Sequence, residues 1–405
     1  MRRAIVLFVF VVALSLGIGC AQPGSIVSLE ARETLSRAAV DGATAGRFRN
    51  DGSPVPSATT SVVSYVLRFE TRALDGSERQ AIAHLFVPET TADGGTLLAF
   101  APGSTGLVDA CAPSAEYTTG GGLDTYGAYG LAYAGQGIAT VVPNYLGFFD
   151  PRRRQPYFVA DAEATVVLDA LRAAAAALAG LDAARTPEHA FVAGFSQGGH
   201  AAFATADRAA DFAPDVPLAG VLGFGPSGEV DVAMRAFTYV APWILVAYDE
   251  TYPDRIDPAA LLVEPYASRL AEDADRHCIA GVQAYYPGTP EALFEPTLAA
   301  SLRAGTLVET HPELARMIEE NDTGIVAHGL PVIILQGVDD PVAPFEDQTR
   351  FVRRLCELGL SVRYPNYLRT RHETRYIGFE EALGWMRARS EGQSAPSDCE
   401  QVPPS

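Results

Sequence analysis

Short unbroken apolar runs, spaced by helical patterns, punctuate this chain from residue 96 onwards. They are Thr96–Ala101, Ile138–Pro143, Ala190–Phe195, Leu218–Phe224, Val332–Gln336 and Ser361–Tyr364. A strand without polar alternation is one buried on both faces, which is the mark of a parallel sheet covered by helices. The alternation of such runs with helices predicts βαβ crossovers. The strongest helical pattern, Val159–Ala179, is dominated by Ala, Leu and Val with Asp and Glu, and its alanine run at 173–177 has high helix propensity. Upstream, Ser64–Thr71 and Gln80–Pro88 alternate around an Asp75-Gly76 turn, which predicts an antiparallel hairpin. Residues 21–60 read as an irregular lead-in with one helical stretch near Leu29–Ala39.

The rhythm breaks once. About a hundred residues separate the run ending near Gly225 from the one starting at Val332, far more than a crossover needs. This stretch is helical in pattern and rich in large aromatics: Phe237, Tyr239, Trp243, Tyr248, Tyr252, Tyr266, Tyr285 and Tyr286. The pattern predicts a helical cap or lid at 226–330, inserted into an α/β core made of residues 61–225 and 331–390. Residues 391–405 form a tail. Most of the aromatics are expected to build the cap's own core, and a minority to line an apolar tunnel.

Composition narrows the function. At 405 residues there is room for one large domain or two modest ones. A net charge of −19 argues against nucleic acid as a partner, because phosphate binding needs a basic surface. All 30 basic residues are arginine. The absence of lysine removes Schiff-base chemistry, Walker A phosphate binding and serine–lysine dyads together. Arg2 and Arg3 precede an apolar run, Ala4–Ile18, short for a membrane span but suited to a secretory signal. The run ends in Leu16-Gly17-Ile18-Gly19-Cys20, which is similar to a bacterial lipobox with Cys20 as the lipidated residue. Plain cleavage after Ala21 is the alternative. On either reading the mature protein leaves the cytoplasm, and a lipid on Cys20 would associate it with a membrane. Cys111, Cys278, Cys356 and Cys399 remain, and in an oxidising compartment they are expected to form two disulfides out of three possible pairings. No C-x-x-C pair supports a metal site.

Candidate chemistry centres on Gly194-Phe195-Ser196-Gln197-Gly198. The run follows the apolar stretch at 190–193 and leads into a helical pattern from Gly199. Strand, Gly-x-Ser-x-Gly, helix is the context of a nucleophile elbow. An inert serine in a tight turn is the bland alternative. A serine hydroxyl needs a base, and the base needs an orienting carboxylate. After Ser196, the strand Val332–Gln336 runs into Gly337-Val338-Asp339-Asp340, which places an acid at the carboxyl edge of the sheet. Asp340 is preferred over Asp339 from its offset after Gly337. Of seven histidines only His372 lies beyond the acid. His200, in the first turn after the elbow, is expected to pack or hydrogen-bond. For the oxyanion, the amide of Gln197 is one expected donor, and the amide of Ser104 in Pro102-Gly103-Ser104-Thr105-Gly106 is the other.

With the order Ser…Asp…His in place, the chain resembles the α/β-hydrolase superfamily, and within it the secretory lipase family, over roughly residues 60–390. The resemblance rests on Gly103–Gly106 followed by Cys111-Ala112-Pro113-Ser114, on Pro143-Asn144-Tyr145-Leu146-Gly147, on the elbow, the long cap, Gly337–Asp340 and His372. Asn144 stands where an aspartate is common, and Pro102 where a histidine is frequent. The resemblance implies an α/β-hydrolase fold with a mostly parallel sheet of about eight strands. It implies hydrolysis of carboxylic esters, often acylglycerols, with Ser196, Asp340 and His372 as the triad and no cofactor. It also implies a disulfide between Cys111 and Cys278, which leaves Cys356 for Cys399. An acyl-peptide or amide hydrolase would use the same triad, and a non-catalytic binding protein is the alternative outside enzymes.

Overall fold

The computed structural model describes residues 22–402, apart from 51–52, 54–56, 92–94, 116–124, 151–152 and 182–185. The apolar run Ala4–Ile18 and Cys20 lie outside the described residues. Ten strands form one sheet: β1 (Ile26–Leu35), β2 (Val62–Arg72), β3 (Glu78–Pro88), β4 (Thr96–Ala101), β5 (Ala139–Pro143), β6 (His189–Phe195), β7 (Leu218–Phe224), β8 (Val332–Gly337), β9 (Val362–Arg363) and β10 (Asn366–Tyr367). Their order is β1-β2-β3-β5-β4-β6-β7-β8-β10, and β9 also pairs with β8. β1 to β3 form an antiparallel meander that joins β5 antiparallel; from β5 across to β8 every pairing is parallel. This is an α/β-hydrolase fold.

The apolar runs explain the parallel part. Side chains alternate across a strand, so a strand apolar at every position feeds two cores. In β4, Leu97, Ala99 and Ala101 enter one core and Leu98 and Phe100 the other. The first core lies under helices Ala160–Gly180 and Gln197–Phe212, whose alanines Ala160, Ala164 and Ala204 meet directly. Small residues let these two helices approach closely. The second core is covered by Thr125–Gly135 and Phe379–Ser390, where Tyr129, Tyr133 and Phe379 pack edge-on or tilted.

Between β7 and β8 the chain forms a series of short helices between Val230 and Asn321. Trp243 and Tyr248 of this insertion are fully buried, and Trp243 packs on Tyr157 of the α/β part, so these aromatics also serve the joint core. Among the described residues, no single helix is long and apolar enough to cross a membrane.

The N-terminal lead-in differs from expectation. Residues 29–35 are strand, not helix, and the helix runs from Arg37 to Asn50. β1 is an edge strand whose side chains are mostly exposed. It pairs with β2 along one side only, and its mostly exposed side chains leave no alternation to read. β1 and the two-residue β10 account for the strands beyond the eight expected.

Burial makes His84 an acid-sensitive point. His84 of β3 is 1% exposed, with its ring edge-on to Phe86. Burial, with Arg32 as a lesser cause, lowers its imidazole from 6.5 to about 3. Below the ordinary value the unfolded chain gains a proton that the folded chain refuses. Stability from this site is therefore full at neutral pH and is lost as pH falls from 6.5 towards about 3. The expected slope is about 1.4 kcal/mol per pH unit. Urea unfolding at stepped pH checks it: His84→Gln should flatten the slope between about pH 6 and about pH 4, whatever its baseline stability.

Candidate active site

β6 ends at Phe195, and the next residue, Ser196, has φ 57° and ψ −118°, a region that non-glycine residues rarely occupy. Neighbouring backbone bonds hold it there. Ser196 N–H donates to the Phe224 carbonyl at 3.1 Å, and the Ser196 carbonyl accepts from Gly199 N–H at 2.8 Å and Ser227 N–H at 3.1 Å. The turn is so tight that a Cβ on Gly194 would lie 1.8 Å from the Gly198 carbonyl oxygen. Gln197 opens the helix Gln197–Phe212, so its N–H has no intrahelical acceptor and points outwards at the positive end of the helix.

The acid and the imidazole arrive from the far side of β8. Asp340 Oδ2 lies 2.8 Å from His372 Nδ1. Asp340 Oδ1 accepts from the N–H groups of Val342 at 2.8 Å and Ala343 at 3.0 Å. The Asp340 carboxylate is fully buried, whereas Asp339 is exposed and uses its N–H on the Thr370 carbonyl. Of the two adjacent aspartates, only Asp340 meets the histidine. His372 Nε2 is buried and has no hydrogen-bond partner among the described residues. Its ring packs 4.7 Å from Phe195, the residue before Ser196.

Ser196, His372 and Ser104 line one cavity of about 1030 Å³. Phe237 is the aromatic of the helical insertion that reaches this cavity. The loop carrying Ser104 is tied to the insertion twice, by the Cys111–Cys278 disulfide and by Ile279 N–H donating to the Thr105 carbonyl at 2.9 Å. The second disulfide joins Cys356 to Cys399. Ser104 itself hydrogen-bonds through its hydroxyl to Tyr157, and no acceptor among the described residues engages its N–H.

Chemically, such a cavity offers a hydroxyl on a strained turn, an imidazole oriented by a buried carboxylate, and free backbone donors. These are the parts of acyl transfer. Sequence comparison decides the family: the profile of the secretory lipases matches residues 122–398. The chain belongs to the secretory lipase family. It is therefore a hydrolase of the lipase/esterase type, and the family together with two disulfides points to export. No curated protein matches the chain significantly. Among solved structures it is similar to the rice cell wall degrading esterase LipA from Xanthomonas oryzae, at 16% identity and a TM-score of 0.72, covering 91% of this chain and 96% of that one. It is also similar to Candida antarctica lipase A, at 18% identity and a TM-score of 0.70, covering 95% of this chain and 86% of that one. At these identities the likeness concerns the fold.

Several residues of this secretory lipase went unread in the sequence. Gly225, with φ +49°, lies against the acid–imidazole pair: a Cβ there would come 3.1 Å from both Asp340 Oδ2 and His372 Nδ1. Glu163, in the alanine-rich helix Ala160–Gly180, is buried beneath the elbow. It accepts from Gln197 Nε2 at 2.8 Å, and its other oxygen lies 2.6 Å from His200 Nδ1. His200 Nε2 donates to the Asn321 carbonyl at 2.6 Å, so the expected hydrogen-bonding role of His200 spans the elbow and the insertion. Glu163 had one available signal, a carboxylate at a position its neighbours mark as apolar.

Proposed function

We propose that this secretory lipase is an exported serine ester hydrolase that cleaves carboxylic esters, acylglycerols among them, through an acyl-enzyme. One arrangement carries the reading: a strained Ser196 sharing a cavity wall with His372, whose Nδ1 is engaged by buried Asp340 and whose Nε2 is without a partner among the described residues. Ser196 Oγ attacks the ester carbonyl and its proton passes to His372 Nε2. The amides of Gln197 and Ser104 stabilise the oxyanion. His372 returns the proton to the departing alcohol, leaving Ser196 acylated. A water activated by His372 then releases the carboxylic acid and restores the serine. Asp340 keeps the imidazole in the orientation that leaves Nε2 free. The insertion at 226–330 acts as the cap over this site and holds its chain-length preference. Export uses the N-terminal signal, with Cys20 as the lipid anchor.

A fluorophosphonate probe tests the covalent step. It is expected to label Ser196 alone, with labelling lost in His372→Ala. Labelling at another serine, or none on active protein, would overturn the mechanism. A rate series on p-nitrophenyl esters then separates the substrate classes: a long-chain optimum with interfacial activation means lipase, and a sharp short-chain optimum means esterase.

A further inference from the structure

The mouth of the cavity gathers positive charge in a chain whose net charge is −19. Arg47, Arg369, Arg371 and Arg375 line it, and Glu373 is the one carboxylate among the described lining residues. Several other surface arginines are paired: Arg154 with Glu250 and Asp275, Arg255 with Glu313 and Glu320, Arg363 with Asp398 and Glu381. Arg47, Arg369 and Arg371 are exposed, and no described acid pairs with them.

Arg375 is an independent observation. It is only 4% exposed. Its guanidinium lies 4.1 Å from the Phe195 ring centroid and 5.0 Å from those of Tyr126 and Tyr376. Its Nη2 lies 2.9 Å from Glu373 Oε2. Its Nε and Nη1 are buried with no acceptor among the described residues. A guanidinium in an aromatic cage is costly when its donors are unmet, so the open pair marks a place where an acceptor is missing. The same Phe195 ring packs on His372, and Arg375 lines the same cavity as Ser196 and His372.

We propose that the cavity selects esters that also carry a negative charge, a carboxylate or phosphate near the scissile bond. Arg375 is the deep contact and Arg369, Arg371 and Arg47 form the rim. The proposal rests on the ester-hydrolase reading above. A chain this acidic repels anions at long range, and a cluster of unpaired arginines reverses that sign locally. Arginine's planar fork suits both carboxylate and phosphate oxygens. The apolar lining residues Phe237, Ile279 and Ile377 are left to hold the carbon chain.

The test compares 4-nitrophenyl hydrogen adipate with 4-nitrophenyl methyl adipate, which share a chain and differ by one charge. The wild-type protein is expected to show kcat/KM higher for the anionic ester, with the ratio falling as salt rises from about 0.01 M to about 1 M. The exposed-residue variant R369Q/R371Q should lower that ratio by about two- to fivefold per arginine removed. R375Q should lower it further, but the rim variant carries the test because its residues are exposed. Equal kcat/KM for the two esters at every salt, or equal losses on both in R369Q/R371Q, would overturn the anion site. Turnover of neither ester by wild type would instead sink the hydrolase reading. Sedimentation with phosphatidylcholine vesicles, with and without phosphatidylglycerol, distinguishes the source. Binding to the anionic vesicles that is lost in R369Q/R371Q assigns the site to a lipid headgroup, and anionic-ester preference without vesicle binding assigns it to a soluble ester.

Discussion

Ser196→Ala is expected to lower kcat on a p-nitrophenyl ester by roughly 10⁵- to 10⁶-fold while the protein stays folded. The hydroxyl supplies the only atom that the acyl group would join, and the flanking backbone bonds are untouched by its loss. Alanine keeps the strain at φ 57°, because it too carries a Cβ. Ser196→Gly should be equally inactive but more stable, by about 1–3 kcal/mol, since glycine tolerates that backbone. A pair of variants that are both inactive, with the glycine form melting higher, would show that the elbow holds its strain for chemistry. The neighbouring acids give the control. Asp340→Asn should cost roughly 10⁴-fold in kcat, the scale expected when an imidazole loses its orienting carboxylate. Asp339→Asn, at an exposed position, should cost little. A reversed pattern, or retained hydrolysis in Ser196→Ala, would remove the triad assignment.

Glu163→Ala should be strongly destabilising. The carboxylate is 1% exposed and has two side-chain partners, Gln197 Nε2 and His200 Nδ1. Removing one member of a buried polar pair leaves the other desolvated without compensation, at a cost of about 3–5 kcal/mol. Urea denaturation measures this directly. His200→Ala should be costly too, but the double variant should lose clearly less than the sum, because the two residues share one interaction. Strict additivity would show that they act separately. Because Gln197 directly follows Ser196 and opens the helix after the elbow, Glu163→Ala should lower kcat in the protein that remains folded.

Much of the fold was legible because its parallel strands are buried on both sides. β4, β6, β7 and β8 have no polar side to hide them, so hydrophobicity alone marks them. β1 was not legible for the opposite reason: its side chains are mostly exposed on both faces, so pairing with β2 leaves no apolar alternation to read. The candidate site divides in the same way. Ser196, Asp340 and His372 announce themselves through fixed offsets from glycines and strand ends. Gly225, Glu163 and Arg375 do not, because their significance lies in what folding brings beside them. A glycine after a strand reads as a turn until Asp340 and His372 are seen against it. Arg375 reads as one more surface charge until Phe195, Tyr126 and Tyr376 close around it.

The Cys111–Cys278 link has a practical corollary for making this protein. It fastens the Ser104 loop to a helix 167 positions further along the chain. Where thiols stay reduced, that junction relies on ordinary packing and on the amide bridge from Ile279 to Thr105. Recombinant material from a reducing cytosol should therefore be heterogeneous at the pocket wall and poorer in specific activity. Material matured through a periplasm or secretory route, or refolded with an oxidising thiol couple, should be uniform. Titrating free sulfhydryls against turnover in each batch would reveal the difference.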